Sequence, residues 1–387
     1  MTIYTVRQGD TVDSIAASQN IPVELLIWEN QIEYPYRLAV GQSLFLSDAG
    51  MNGIPAETAS RPPLYSFGYA YPFINADTLA DTLPFLTDLY VFSYGFTAEG
   101  NLVFPMTDDG WMITAARNAG VRPVLTLTPL GADGRFNNNL VSVLVQNQDI
   151  QQRLIWELGR TMQERGFLGL DIDFEYILAE DRLAFAAFVR RVREVMNLFG
   201  YQVSVALAPK TSADQPGLLY EGVDYRLLGE AADRVMLMTY EWGYSQGPPM
   251  AVAPIHMVRR VVDYAVSEIP VEKISLGIPN YGYDWPLPFE RGVTRAQTIH
   301  NLEAIRIAID HGSEIRFDQT AQSPYFRYWQ YGIQHEVWFE DPKSIRAKFD
   351  LIREYGLTGA GYWQLMNFFR ANWLMMEEMF AVTAADF

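Results

Sequence analysis

Three carboxylates, Asp171, Asp173 and Glu175, stand two residues apart in the apolar run GLDIDFEY, residues 169–176. Side chains alternate across an extended strand, so all three point to one side, and Leu170, Ile172 and Phe174 to the other. Like charges this close cannot all ionise when buried, so at least one carboxyl must hold its proton well above the usual range. A carboxyl still protonated near neutral pH is what a general acid requires. The other use of buried acids, pairing with Arg or Lys, finds little support. Only Lys210 offers a basic side chain that a neighbouring strand-like run would turn inward.

The acids need a frame that buries them and still reaches substrate. Short apolar β-runs alternate with helical stretches at 64–71, 88–96, 122–129, 166–176, 202–210, 234–242, 274–283 and 359–365. Eight runs in β/α alternation predict an α/β chain folded as a (β/α)8 TIM barrel. A doubly wound sheet would put a Gly-rich nucleotide turn after its first strand, and none is present. The acids then face the barrel interior. Glu175 lies nearest the C-terminal rim, where barrels carry their chemistry. About 75 residues separate the last two runs, too many for one crossover, so 286–340 is expected to be a small α+β insertion between strands seven and eight. Aromatic residues late in strands or just past them could wall a groove for flat ligands: Tyr69, Phe96, Trp242, Tyr244, Tyr283, Trp285 and Trp363. The helical stretch around 181–195 reads as a solvated outer helix.

Residues 1–48 stand apart as a small βααβ unit. Gly9-Asp10-Thr11 caps a helix with Val12, Ile15 and Ala16 on one face, and Asn20-Ile21-Pro22 breaks it before a second helix over 23–29. Residues 49–63, rich in Gly, Ala, Ser and Pro, read as a linker, and 64–380 as the catalytic domain. The net charge of −17 argues against nucleic-acid or anionic-membrane partners. With no cysteine, a disulfide framework or thiolate zinc site is excluded. The four histidines are scattered, and His335-Glu336 lacks the second His of a zinc-protease helix. No metal or other cofactor is expected, and a monomer is. MTIYTVRQGD lacks the charged-then-apolar design of a secretory signal, which predicts a product made in the cytosol.

The N-terminal unit resembles the LysM module, which binds peptidoglycan and chitin, through Tyr4-Thr5-Val6, Gly9-Asp10-Thr11, Ile15-Ala16, Asn30 and Val40-Gly41-Gln42. GLDIDFEY resembles the DGxDxDxE signature of glycoside hydrolase family 18, with Asp171, Asp173 and Glu175 as its last three acids and Leu168 in place of the first. MTYEW (238–242) resembles the family's sixth-strand motif, with Tyr240 as its tyrosine and Glu241 where Asp is commoner. GYWQL supplies Trp363 for the tryptophan that floors the −1 sugar subsite. The stretches ALAPKTSADQPG, LMTYEWGYSQGPPMAVAPI and IPNYGYDWPLP, joined to a LysM, are similar to the spore-cortex-lytic N-acetylglucosaminidases of endospore-forming bacteria.

The resemblance implies substrate-assisted retaining hydrolysis, a departure from the two-carboxylate scheme. Glu175 would protonate the glycosidic oxygen, and the substrate's own 2-acetamido oxygen would attack the anomeric carbon. Asp173 would hold the acetamido N–H, Tyr240 would donate to the acetamido group, and Asp171 would share a proton with Asp173. It implies a peptidoglycan or other N-acetylglucosamine polymer as partner, and deposition at the spore cortex or coat. A chitinase and a non-catalytic lectin on the same fold are the alternatives, and the presence of Glu175, Asp173 and Tyr240 speaks against the lectin.

Overall fold

The computed structural model describes residues 1–48 and 61–385, so the expected linker at 49–63 lies outside the described residues except for its last three positions. Eight parallel strands form the centre: Pro63–Ala70, Asp88–Phe96, Arg122–Leu127, Gly169–Ile172, Gln202–Leu207, Arg234–Leu237, Ile274–Pro279 and Gly359–Trp363. The eighth strand pairs with the first, Gly359 opposite Tyr65, and the sheet closes into a barrel. Outer helices bury one stripe. In Arg182–Asn197 it comprises Phe185, Ala186, Phe188, Val189, Val192 and Met196, spaced by threes and fours as a helix face demands. Helix Gln148–Arg165 stops at Gly166, whose φ of 85° suits glycine and turns the chain into the fourth strand. No helix among the described residues is long and apolar enough to cross a membrane.

Each of several paired strands is shorter than its apolar run. The run at 166–176 is strand only over Gly169–Ile172, and the run at 234–242 only over Arg234–Leu237. Asp173 N and Met238 N still bond to the neighbouring Leu127 and Leu207 carbonyls, both at 2.9 Å. Asp173, Glu175, Tyr240 and Glu241 therefore leave the sheet at its C-terminal rim. The run at 274–283 splits. Its barrel strand ends at Pro279, and Gly282–Pro286 opens a separate antiparallel sheet. Asn280 fixes the corner, its Nδ2 donating to the carbonyls of Gln364 (3.1 Å) and Asn367 (2.7 Å). The separate sheet has five strands and lies between the seventh and eighth barrel strands. With helix Asn301–Asp310 it encloses its own core, including Ile299, Ala304, Phe326 and Val337.

At the opposite end of the barrel, the second and third strands begin with a charge pair. Arg122 Nε lies 3.0 Å from both oxygens of Asp88, and Tyr65 donates to Asp88 at 2.5 Å. The Arg234 guanidinium stands 4.0 Å over the Tyr65 ring.

The N-terminal unit pairs Thr2–Thr5 with Ser43–Leu46 around two helices, Val12–Gln19 and Val23–Glu29. Thr11 caps the first, its side chain accepting from Ser14 N while Ser14 reciprocates. This unit is docked on the barrel. Phe45 enters the barrel's own core, and Ser43 Oγ donates to buried Asp341 at 2.6 Å. Arg370 N donates to Gln31 (2.6 Å), and the Arg370 guanidinium lies 4.5 Å from the Trp28 ring centre. Ile315 N of the insertion bonds to Val40 O at 2.9 Å. Gly41, with φ of 83°, sits so close to this contact that a Cβ would run into the Ile315 carbonyl.

Candidate active site

The three acids do turn to the barrel axis and its mouth. Asp171 is fully buried. Its two oxygens accept from Ser204 Oγ (2.6 Å) and Tyr69 OH (3.0 Å). Ser204 stands opposite Asp171 in the fourth-to-fifth strand register. Burial pushes the Asp171 carboxyl up to about 6, against the pull of those two hydroxyls. Asp173 is held well above the usual range by burial and then by the charges of Glu175 and Asp171. Its Oδ1 is buried and has no hydrogen-bond partner among the described residues. Glu175 is raised by burial and by Glu241. No hydrogen bond joins Asp171 to Asp173 here.

Among the described residues no cation offsets these charges. Lys210, the basic candidate, turns away and donates to the carbonyls of Val223 (2.7 Å) and Ala213 (3.0 Å). Tyr240 is nearly buried beside the acids. Burial, then Asp173, Glu175, Glu241 and Asp171, hold its hydroxyl well above 10, so it remains a donor. Glu241 follows it with φ of 66°, rare for a residue with a side chain. The hydroxyls of Tyr281 and Tyr283 both donate to its Oε1, Tyr283 at 2.8 Å.

Trp363 is partly exposed at the end of the eighth strand. Phe92 meets it edge-on at 5.0 Å, Tyr69 at 5.6 Å and Tyr71 at 6.1 Å between ring centres. Trp242 is partly buried and packs on the barrel core. Three aromatic expectations are corrected. Tyr69 does not wall a groove, because it is buried inside the barrel and holds Asp171. Phe96 is fully buried and packs on Phe174, 5.6 Å away, in the strand–helix layer. The reason is a register shift between Val91 and Tyr94, which turns the late residues of the second strand outward. Tyr283 is buried and serves Glu241. Trp285, weighed beside them, is fully buried and donates to Gly247 O at 2.8 Å.

Of the expected rings Tyr244 is accessible at the mouth, and others join it. Tyr71 stacks on exposed Phe73 at 5.0 Å, and its hydroxyl is raised by burial and then by Asp173. On the far side, Tyr176 and Tyr244 are each more than two-fifths exposed, and Tyr176 feels the charge of Glu175. Sequence reasoning missed Ser204, although QVSVAL put a lone hydroxyl on the inward face of a strand. It also missed Tyr71 and Phe73, which continue the inward phase of Tyr65, Phe67 and Tyr69 past the strand.

Arranged this way, the mouth can present a protonated carboxyl to a leaving oxygen, an unpartnered carboxyl to an N–H, and a phenol to a carbonyl. The sequence matches the family described as glycosyl hydrolases family 18 over residues 130–367, and the LysM domain over 4–47. It is 39% identical to the cortical fragment-lytic enzyme of Bacillus subtilis (strain 168), with all of both chains covered. Among solved structures, the spore cortex-lytic enzyme SleL of Bacillus megaterium QM B1551 superposes with a TM-score of 0.92 at 33% identity, over 99% of each chain. A chitinase from Chromobacterium violaceum ATCC 12472 shares the fold at a TM-score of 0.74 and 24% identity, over 82% of this chain and 98% of that one. The chain belongs to the glycosyl hydrolases of family 18 and is a glycoside hydrolase carrying an N-terminal LysM domain.

Proposed function

We propose that the enzyme hydrolyses N-acetylglucosaminyl bonds of spore-cortex peptidoglycan, with retention and with the substrate's acetamido group as nucleophile. The full-length likeness to cortical fragment-lytic enzymes supports the polymer. One observation carries the chemistry: among the described residues Asp173 presents a buried oxygen with no partner, in a mouth that no cation enters. A buried polar atom left unpaired costs stability, and an acetamido N–H would satisfy it. Glu175, whose carboxyl burial and then Glu241 hold above the usual range, gives its proton to the glycosidic oxygen and then takes one from water. Tyr240 donates to the acetamido group, and Asp171, fixed by Ser204 and Tyr69, holds the field around Asp173. Holding the nucleophile within the substrate gains from proximity. The enzyme acts at the spore as a monomer, without a metal, with the LysM holding the same polymer.

The test is muropeptide analysis of cortex fragments digested by wild type and by Glu175→Gln. New reducing-end N-acetylglucosamine from wild type alone is expected. Reducing-end muramic acid would overturn the bond assignment, and equal release by both proteins would overturn the role of Glu175. Turnover of chitin with cortex untouched would move the enzyme to the chitinases.

A further inference from the structure

The outer wall of the barrel carries a second concavity, behind the strand that bears the acids. It lies between helices Gln148–Arg165 and Arg182–Asn197, continues to Phe199 and Tyr201, and encloses about 750 Å³. Outer helices of a barrel ordinarily show polar faces to water. Here Trp156 is 61% exposed and Phe199 66% exposed. Phe199 stacks on Tyr201 at 6.4 Å, and Arg160 lies 5.3 Å from the Trp156 ring centre. Gly159 faces open space in the wall, since a Cβ there would meet nothing within 4 Å.

Charge sets this groove apart. The chain carries 46 acidic residues against 29 basic ones, yet the lining includes Arg160 and Arg191 and no carboxylate. Arg160 is partly neutralised by Glu157 at 3.0 Å and Glu164 at 3.6 Å. Arg191 makes no ion pair among the described residues; it donates to Gln151 at 3.3 Å. Gln152 and Gln163, also in the lining, make no side-chain hydrogen bond among the described residues.

We propose that this groove is a second glycan-binding site, taking a carboxylate-bearing N-acetylated strand. The inference rests on the peptidoglycan reading above. Indole and phenyl faces suit the C–H faces of sugar rings, free glutamine amides suit acetamido and hydroxyl groups, and Arg191 suits the carboxylates of lactyl and peptide substituents. A protein of charge −17 is repelled by a polyanionic wall, so an aromatic groove whose lining holds no carboxylate, and whose Arg191 makes no ion pair among the described residues, is where such a polymer can approach. In the closed barrel the fourth strand lies across from the eighth, beside which the LysM is docked. The groove thus lies on the side of the barrel away from the LysM and toward its N-terminal end, since Phe199 and Tyr201 directly precede the strand that starts at Gln202.

The experiment is co-sedimentation of full-length protein with purified cortex peptidoglycan, in the inactive Glu175→Gln background, with and without Trp156→Ala or Arg191→Gln. Each change should weaken retention, Trp156→Ala by about tenfold, the loss typical of truncating an aromatic anchor. In an active background, both variants should hydrolyse a short N-acetylglucosamine oligosaccharide at the wild-type rate. Added salt should erase the Arg191 effect first. Unchanged retention in both variants overturns the site. Unchanged retention with self-association of the parent that the variants abolish gives the groove to a second copy of the chain. If the parent neither sediments with cortex nor, as active enzyme, releases product from it, the peptidoglycan reading fails and takes this site with it. A parent that binds as well as its variants sinks the groove alone.

Discussion

The barrel buries carboxylates at both ends and treats them in opposite ways. At the N-terminal end, Asp88 meets the Arg122 fork and the Tyr65 hydroxyl, which answer its charge although burial still holds its carboxyl above the usual range. At the C-terminal mouth, Asp171, Asp173, Glu175 and Glu241 crowd together with no cation among the described residues, and only Asp171 and Glu241 have hydroxyl partners. The two ends are physically joined, because Tyr90 links Tyr65 (3.1 Å) to Ser204 (3.0 Å), which holds Asp171. A satisfied pair breaks badly when one partner is removed, but it does no chemistry. A crowded, uncompensated set keeps protons at a pH where free carboxyls have lost them, which is the state an acid catalyst needs.

The largest effect should come from the mouth. Glu175→Gln should lower cortex hydrolysis by roughly 10²–10⁴-fold, the range for a general acid, with a melting temperature no lower than wild type. The other end should behave inversely. Arg122→Met leaves Asp88 buried and unpaired and should cost about 3–5 kcal/mol of stability, read by denaturant unfolding, while the folded fraction keeps its turnover. Loss of turnover at intact stability in Arg122→Met would erase the contrast between the ends.

A smaller effect is pH-dependent. In the folded chain the mouth acids hold protons that the unfolded chain releases at lower pH. Stability should therefore fall as pH rises from about 4 through about 6, where Asp171 loses its proton. For Asp171 the expected loss is on the order of 2–3 kcal/mol. Thermal melts across that range should show the slope, and Asp171→Asn should flatten it. A rising curve would contradict the burial of these acids. The smallest effect is expected from Glu241→Gln. Removing that charge lowers the pKa of Glu175, so the alkaline limb of kcat/KM should move to lower pH. A limb that stays in place would show that Glu241 does not set the acid.

The charged contrast was half legible in the sequence. Alternation is a local property, so GLDIDFEY placed its acids correctly even though pairing stops at Ile172. Asp88 and Arg122 were overlooked because their pairing depends on two strand starts lying side by side, which only the closed sheet determines. The aromatic wall was legible in kind and wrong in detail. Tyr69 is in phase with Tyr65 and Phe67, which fill the barrel, and one register shift sends Phe96 to the helices. Tyr283 reaches Glu241 only through the insertion's sheet, whose start at Gly282 the uninterrupted run IPNYGY concealed.

The docking of the N-terminal unit bears on how a wall is dismantled. A module on a loose tether lets its catalytic partner graze anywhere within a leash length. Here Phe45, Ser43 and Arg370 bolt the module to the barrel. The enzyme is a caliper: where it grips and where it cuts are a constant offset apart. Fragments from long strands should then favour a preferred length, and Gly41→Val, which forces the module off Ile315, should blur that distribution into a continuum.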